Sequence, residues 1–244
     1  MGRDRSRSFP RAVAFAAALA ACALPAGAAA RAPLVEQLVA FESGAVVQKS
    51  VRAAATRVRV EGRRCALAEG TALASLVRAR PGSIGLADYG ACGSRARDSG
   101  GLYVRSIRGE RARGLSGWVY KVGHGLATAG AADPAGAFGR GRLRAGQRVT
   151  WFYCRMRSAS CQRTLGLAAR PAKDGGAVTV TVRGYDDDAK DVPVAGATVA
   201  AGAVRATTDA AGRATLTLPP GTHRVRATKR GLVASFHERV TVRG

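Results

Sequence analysis

Carboxylates are in short supply in this 244-residue chain: Asp and Glu number 16 against 39 Lys and Arg, a formal net charge of +23. Lysine is scarce as well. It occurs only at Lys49, Lys121, Lys173, Lys190 and Lys229, so the charge is almost all arginine. The only histidines, His124, His223 and His237, are scattered, and no two cysteines stand in C-x2-C spacing, which leaves no zinc-type ligand set. A nucleophile elbow needs G-x-S-x-G between strand and helix, and neither "GLSGW" nor "PGSIG" supplies it. The glycines of "GAFGRGRLRAG" precede no helix and read as turn residues, not as a phosphate cradle. After residue 30 no apolar run is long enough for a membrane helix.

What is present starts with a leader. "MGRDRSRSFPR" is basic, "AVAFAAALAACAL" is a short apolar run, and "PAGAAA" brings a helix breaker and small residues. Residues 1–30 are read as a secretory signal peptide cleaved after Ala28 or Ala30, so the expected product is soluble and secreted, with cell-surface association as a further option. An alternative rests on Leu19, Ala20, Ala21 and Cys22, a tetrapeptide similar to the bacterial lipobox, in which Cys22 would be lipidated.

Four cysteines remain beyond the leader, an even number that reads in an exported chain as two disulfides with three possible connectivities. Pairing of sequence neighbours, Cys65–Cys92 and Cys154–Cys161, is favoured. On the chain-entropy account the bridges contribute roughly 3.5 and 2.5 kcal/mol. With these thiols paired, none is left for Cys/His catalysis. His124, flanked by Gly123 and Gly125, is the best-placed acid or base, and no partner for it is identifiable. "YDDDAKD", with Asp186, Asp187, Asp188 and Asp191, lacks the alternate spacing of an EF-hand loop and reads as a solvated turn. No enzyme activity, cofactor or metal is expected.

Without residues 1–30 the net charge is +20. Abundant Ala, Gly and Arg point to composition and solvation as its source. The other reading is affinity for an anionic polymer through the arginines. The basic residues are dispersed and no aromatic-interleaved module is visible, so no specific nucleic acid is expected.

The clearest boundary is "LAARPAKDGGAV", where Pro171, Gly175 and Gly176 separate two patterned regions. The layout expected is a lead-in at 31–53 holding a short helix or strand, a first domain at 54–166, a linker at 167–176 and a second domain at 177–244. "TRVRVEG" alternates as a strand and "GRRCALAEGT" turns and returns. "TALASLVRA" is a short helix with Thr71 as N-cap and Leu73, Leu76 and Val77 as its stripe. "GLYVRSIRG", "GWVYKVG" and "GQRVTWFYC" are strands. In the second of these Trp118, Tyr120 and Val122 share a face; in the third Val149, Trp151 and Tyr153 oppose Thr150, Phe152 and Cys154. Strand, turn, strand, helix and further strands make a β-grasp arrangement. Aromatics alternating along strands are usually core and less often a ligand cleft, and the long "HGLATAGAADPAGAFGRGR" connection is of a length often functional or mobile.

These residues carry a resemblance. Trp118, Tyr120, Val122 and Gly123, then Ala129, Gly130 and Ala131, then Leu143, Gly146, Val149, Trp151 and Tyr153 are similar to the signature of the bacterial family named for the C-terminal domain of transcobalamin. It covers roughly 54–156. The family's Asn is absent from Val122-Gly123-His124-Gly125, its Asp is Gln147, and the cysteines are additions. Transcobalamin holds a corrinoid between such a domain and a helical barrel, which this chain has no sequence to form. In the second domain "VPVAGATV" and "TTDAAGRATLTLPPGTHRVRA" resemble the carboxypeptidase-regulatory-like and bacterial Ig-like sandwiches, which are usually spacers or adhesion units. Val178, Val180 and Val182, then Ala214, Leu216 and Leu218, alternate with polar residues there, as half-buried strands require.

The expectation is therefore a mainly β protein: a β-grasp-like domain with one short helix, followed by an Ig-like or prealbumin-like β-sandwich. Its function reads as a non-catalytic binding or surface-presentation protein of the bacterial envelope, with a small molecule or envelope polymer as partner. Candidate contacts are Trp118, Tyr120, His124, Trp151 and Tyr153. The alternatives are a purely structural or adhesive module whose aromatics are all core, and a corrinoid or polyanion binder.

Overall fold

The computed structural model describes residues 31–90, 92, 100–172 and 176–244. The expected signal peptide with Cys22, and residues 173–175 of the expected linker, lie outside them. The fold is mainly β, with several sheets and one helix among the described residues.

The stretch 31–53, expected as a lead-in, is the hairpin β1 (Leu34–Ala40) and β2 (Val46–Arg52). Next come β3 (Thr56–Val60), β4 (Arg63–Leu67), α1 (Ala72–Ala79), β5 (Ile84–Asp88), β6 (Leu102–Ile107) and β7 (Glu110–Arg111). The first half continues with β8 (Gly117–Val122), β9 (Gly125–Leu126) and β10 (Arg148–Cys154). The main sheet has the order β2-β1-β10-β8-β9, with β1 and β10 parallel and the other pairs antiparallel. A central parallel pair flanked by two hairpins, with a helix laid across, is the β-grasp order. The predicted hairpin at 56–67 forms, but as a separate two-stranded sheet, β3-β4. β1 takes an inner position beside β10 because both of its sides are covered: Val35 and Val39 enter the helix-side core, with Gln37 between them accepting from the Ser75 hydroxyl at 2.8 Å, while Ala40 packs with Phe152 beneath. Such a strand shows no alternation to read.

The predicted helix is α1. Thr71 caps it, its Oγ1 accepting from the N–H of Ala74 at 3.3 Å, and Leu73 and Leu76 are fully buried against the sheet. The long connection after β9 is folded over the core. Ala131, Ala132 and Ala137 are buried there, and Leu73 donates its N–H to Ala131 O at 2.8 Å.

The second half holds β11 (Thr164–Pro171), β12 (Ala177–Tyr185), β13 (Asp191–Pro193), β14 (Thr198–Ala201), β15 (Val204–Thr207), β16 (Arg213–Thr217), β17 (Gly221–Thr228) and β18 (Glu238–Val242). Residues 167–171, expected in a linker, are the end of β11, paired along β12. One sheet joins β11, β12, β13 and β16; the other has the order β15-β14-β17-β18. Between them lie Val178, Val180, Val182, Leu216, Val225 and Val240, the core of a β-sandwich.

Both disulfides pair sequence neighbours, Cys65–Cys92 and Cys154–Cys161. The second lies in a small third core with Phe152 and Val233, where the lower face of the main sheet meets the sandwich.

Candidate functional site

Strands β8 and β10 pair so that Tyr120 stands opposite Trp151 and Trp118 opposite Tyr153. Strand alternation puts all four on the helix side, where they form one aromatic patch. Tyr120 stacks on Trp151 with centroids 5.0 Å apart, Trp118 meets Tyr153 edge-on at 6.0 Å, and Phe41 meets Trp118 edge-on at 5.6 Å. These offset and edge geometries are those favoured by ring quadrupoles. Trp118 is 3% exposed, Tyr120 6%, Trp151 1% and Tyr153 6%.

Three of the four polar ends are satisfied by backbone. Trp118 Nε1 donates to Glu110 O at 2.8 Å, Tyr120 OH to Ala129 O at 2.9 Å and Tyr153 OH to Arg111 O at 3.1 Å. Burial holds the Tyr120 phenol far above its ordinary range, so it stays a neutral donor. Trp151 Nε1 is buried with no hydrogen-bond partner.

Beside this patch is a slot of about 200 Å³, lined by Leu102 and Val104 of β6, Trp118 and Tyr120 of β8, Trp151, and the 126–131 segment. It exists because β6 belongs to a different sheet from β8 and does not hydrogen-bond to it. The lining is almost wholly apolar.

His124 stands apart from the other four candidates. The β8–β9 turn, with Gly123 at φ +63°, carries it to the sandwich side, where its ring stacks on Tyr185 at 3.5 Å. Burial of the ring, then the Lys121 and Arg148 charges, hold its pKa below the usual histidine value. Among the described residues no carboxylate is hydrogen-bonded to it.

Sequence reading passed over Lys121. It points from β8 to the lower side of the sheet and is fully buried. Its ammonium donates to Tyr185 O at 3.1 Å and Asp186 O at 2.6 Å, and lies 3.5 Å from Asp187. Burial outweighs Asp187, and its pKa falls below the ordinary lysine value. The "YDDDAKD" segment is thus the receptor for this lysine. Asp186 accepts from the N–H groups of Asp188 and Lys190, and Asp187 from that of Cys161. Among the described residues no group of three His, Cys, Asp or Glu is placed to hold a metal ion.

A second overlooked cluster lies at the other end of the junction. Arg224 and Arg239 are directly opposite on β17 and β18. Arg226 donates to His237 Nδ1 at 2.9 Å, with Arg224 at 3.5 Å, and the His237 N–H donates to Gln48 Oε1 at 2.8 Å. Burial, then Arg226 and Arg224, push the His237 imidazole down to about 4. Arg148 lies over the Phe236 ring and grips Glu238 with both guanidinium nitrogens. The only sequence signal was an Arg-x-Arg run in a strand, indistinguishable from a solvated face.

No helix among the described residues is long and apolar enough to cross a membrane. Compared with family models, curated proteins and solved structures, the chain matches none.

Proposed function

We propose that this chain is an exported, non-catalytic module of a bacterial cell envelope that presents a surface. The observation that carries this reading is the use made of the aromatic strands. Trp118, Tyr120, Trp151 and Tyr153 are spent on the core, and three of their polar ends on neighbouring backbone. Residues so committed serve first to hold the sheet and its core together. Two disulfides support an oxidising compartment. The resemblance of the second half to carboxypeptidase-regulatory-like and bacterial Ig-like domains agrees with a spacer or adhesion role. Intact mass of the native protein, with and without reduction, tests export: the expected mass lacks the first 28 or 30 residues and rises by four hydrogens on reduction. A full-length mass, or free thiols before reduction, counts against it; a lipidated mass starting at Cys22 would mean export with anchoring.

A second reading has its own support. The slot between β6 and β8 and the unpartnered Trp151 N–H suit a small apolar ligand bearing one acceptor. At about 200 Å³ the slot is below the usual range for drug-sized ligands, and a corrinoid is larger still. Tryptophan fluorescence and melting temperature, followed against a series of small apolar ketones and alcohols, separate the readings. Saturable quenching with a raised melting temperature supports a ligand in the slot. No response to any of them leaves the presentation module.

A further inference from the structure

We propose that the basic cleft between the β1–β2 hairpin and the β17–β18 pair binds a polymer bearing phosphate groups and no bases. The cleft, about 520 Å³, has Arg224 and Arg239 on one wall, Lys49 on the other and Arg148 at its edge. Its carboxylates are already engaged: Glu238 by Arg148, and Glu36 by the Ser50 hydroxyl at 3.0 Å and the Gln48 amide at 3.3 Å. Lys49, Arg224, Arg226 and Arg239 form no ion pair with a described carboxylate.

Like charges directly opposite on neighbouring strands destabilise a sheet. Here the Arg224–Arg239 pair is followed by a His237 ring that can only accept from the arginines beside it. That arrangement leaves the guanidinium donors of Arg224 and Arg239 lining the cleft with no described carboxylate in an ion pair with either. An incoming oxyanion supplies the missing acceptors, and the planar guanidinium fork matches phosphate in a bidentate manner.

The charge continues past the cleft. Cross-strand register places Arg226 beside Ala200 and Ala200 beside Arg205, so the outward positions of this sheet carry Arg205, Arg224, Arg226 and Arg239. Among the described residues the outward strand positions of this sheet hold no carboxylate. Successive outward positions on a strand are about 6.6 Å apart and strands about 4.8 Å apart. The result is a grid of cations longer than one phosphate, which favours a chain of them. No Phe, Tyr or Trp lines the cleft, so there is no platform on which bases would stack. The inference goes beyond the surface-module reading and does not need export to be right, because it is measured on purified protein.

The probe is long-chain inorganic polyphosphate, with orthophosphate and oligothymidylate of matched charge as comparisons, at near-physiological salt. Arg224→Gln/Arg239→Gln is expected to weaken polyphosphate binding roughly tenfold or more, through loss of two charge-assisted contacts. Arg57→Gln/Arg59→Gln, an equal charge change on β3 outside the cleft, is expected to leave it within about twofold. In the unmutated protein, the His237 ring nitrogen signals should shift on saturation. Equal losses in both variants, no loss in either, or an unmoved His237 would overturn the site. Binding of orthophosphate as tight as that of the polymer overturns the extended occupant, and equal affinity for oligothymidylate overturns the preference against bases.

Discussion

Trp151 lies under Tyr120 at the centre of the largest core, 1% exposed, with its N–H unpartnered. Trp151→Ala should cost about 3–5 kcal/mol in urea unfolding, the range for emptying a large buried aromatic site. Trp151→Phe should cost clearly less, because it keeps a ring and removes a buried donor that has no acceptor. A Trp151→Ala protein of unchanged stability would mean that the patch is a contact surface and not core. Histidines set the acid response. The folded-state pKa of His237 is about 4 and that of His124 is also lowered, both below an unfolded value near 6.5. Between these limits the unfolded chain binds more protons, so stability falls as pH drops from about 6.5 towards 4. The melting temperature should be lower at pH 5 than at pH 7. His237→Gln, whose side-chain oxygen can still accept from Arg226, should narrow that gap.

At the level of elements, α1 and the connection after β9 are held by local devices. Thr71→Ala removes the cap on Ala74 and should lower stability by about 1 kcal/mol. Gly136 sits at φ +86°, and a Cβ there would collide with Gly141 O, so Gly136→Ala should cost more than about 1 kcal/mol. Both are checked by thermal melts. The helix was legible because the cap, Thr71, and the stripe, Leu73, Leu76 and Val77, fall within seven residues. The strand pattern of β8 and β10 was legible because aromatics alternate with smaller residues. β1 was not, since a strand covered on both sides alternates in nothing. The Asp-rich turn after β12 was legible as a turn, but its service to Lys121 depends on a strand 64 residues away.

Over the whole molecule, Lys121 ties the main sheet to the sandwich, Arg148–Glu238 and Gln48–His237 add to the tie, and Phe152 packs on Val233 between them. Removing one partner of a buried ionic cluster strands the others without water. Lys121→Met should therefore cost roughly 3 kcal/mol. In calorimetry it should split a single unfolding transition into two, as the halves uncouple. One unsplit transition in the variant would show that the apolar contact alone holds them.

Short-range signals determined much of this protein unaided. Strand periodicity, turn residues, the capped helix and the even cysteine count belong to stretches where neighbours in sequence are neighbours in space, and the disulfides span only 27 and 7 residues. Tertiary structure alone decided which strand is central, that the candidate aromatics are core, and that His124 leaves them for Tyr185. It also decided that Lys49, Arg148, Arg224 and Arg239 gather at one cleft. The reason is common to all four: burial, stacking and charge density depend on which surfaces meet, and the surfaces that meet here come from residues up to 189 positions apart.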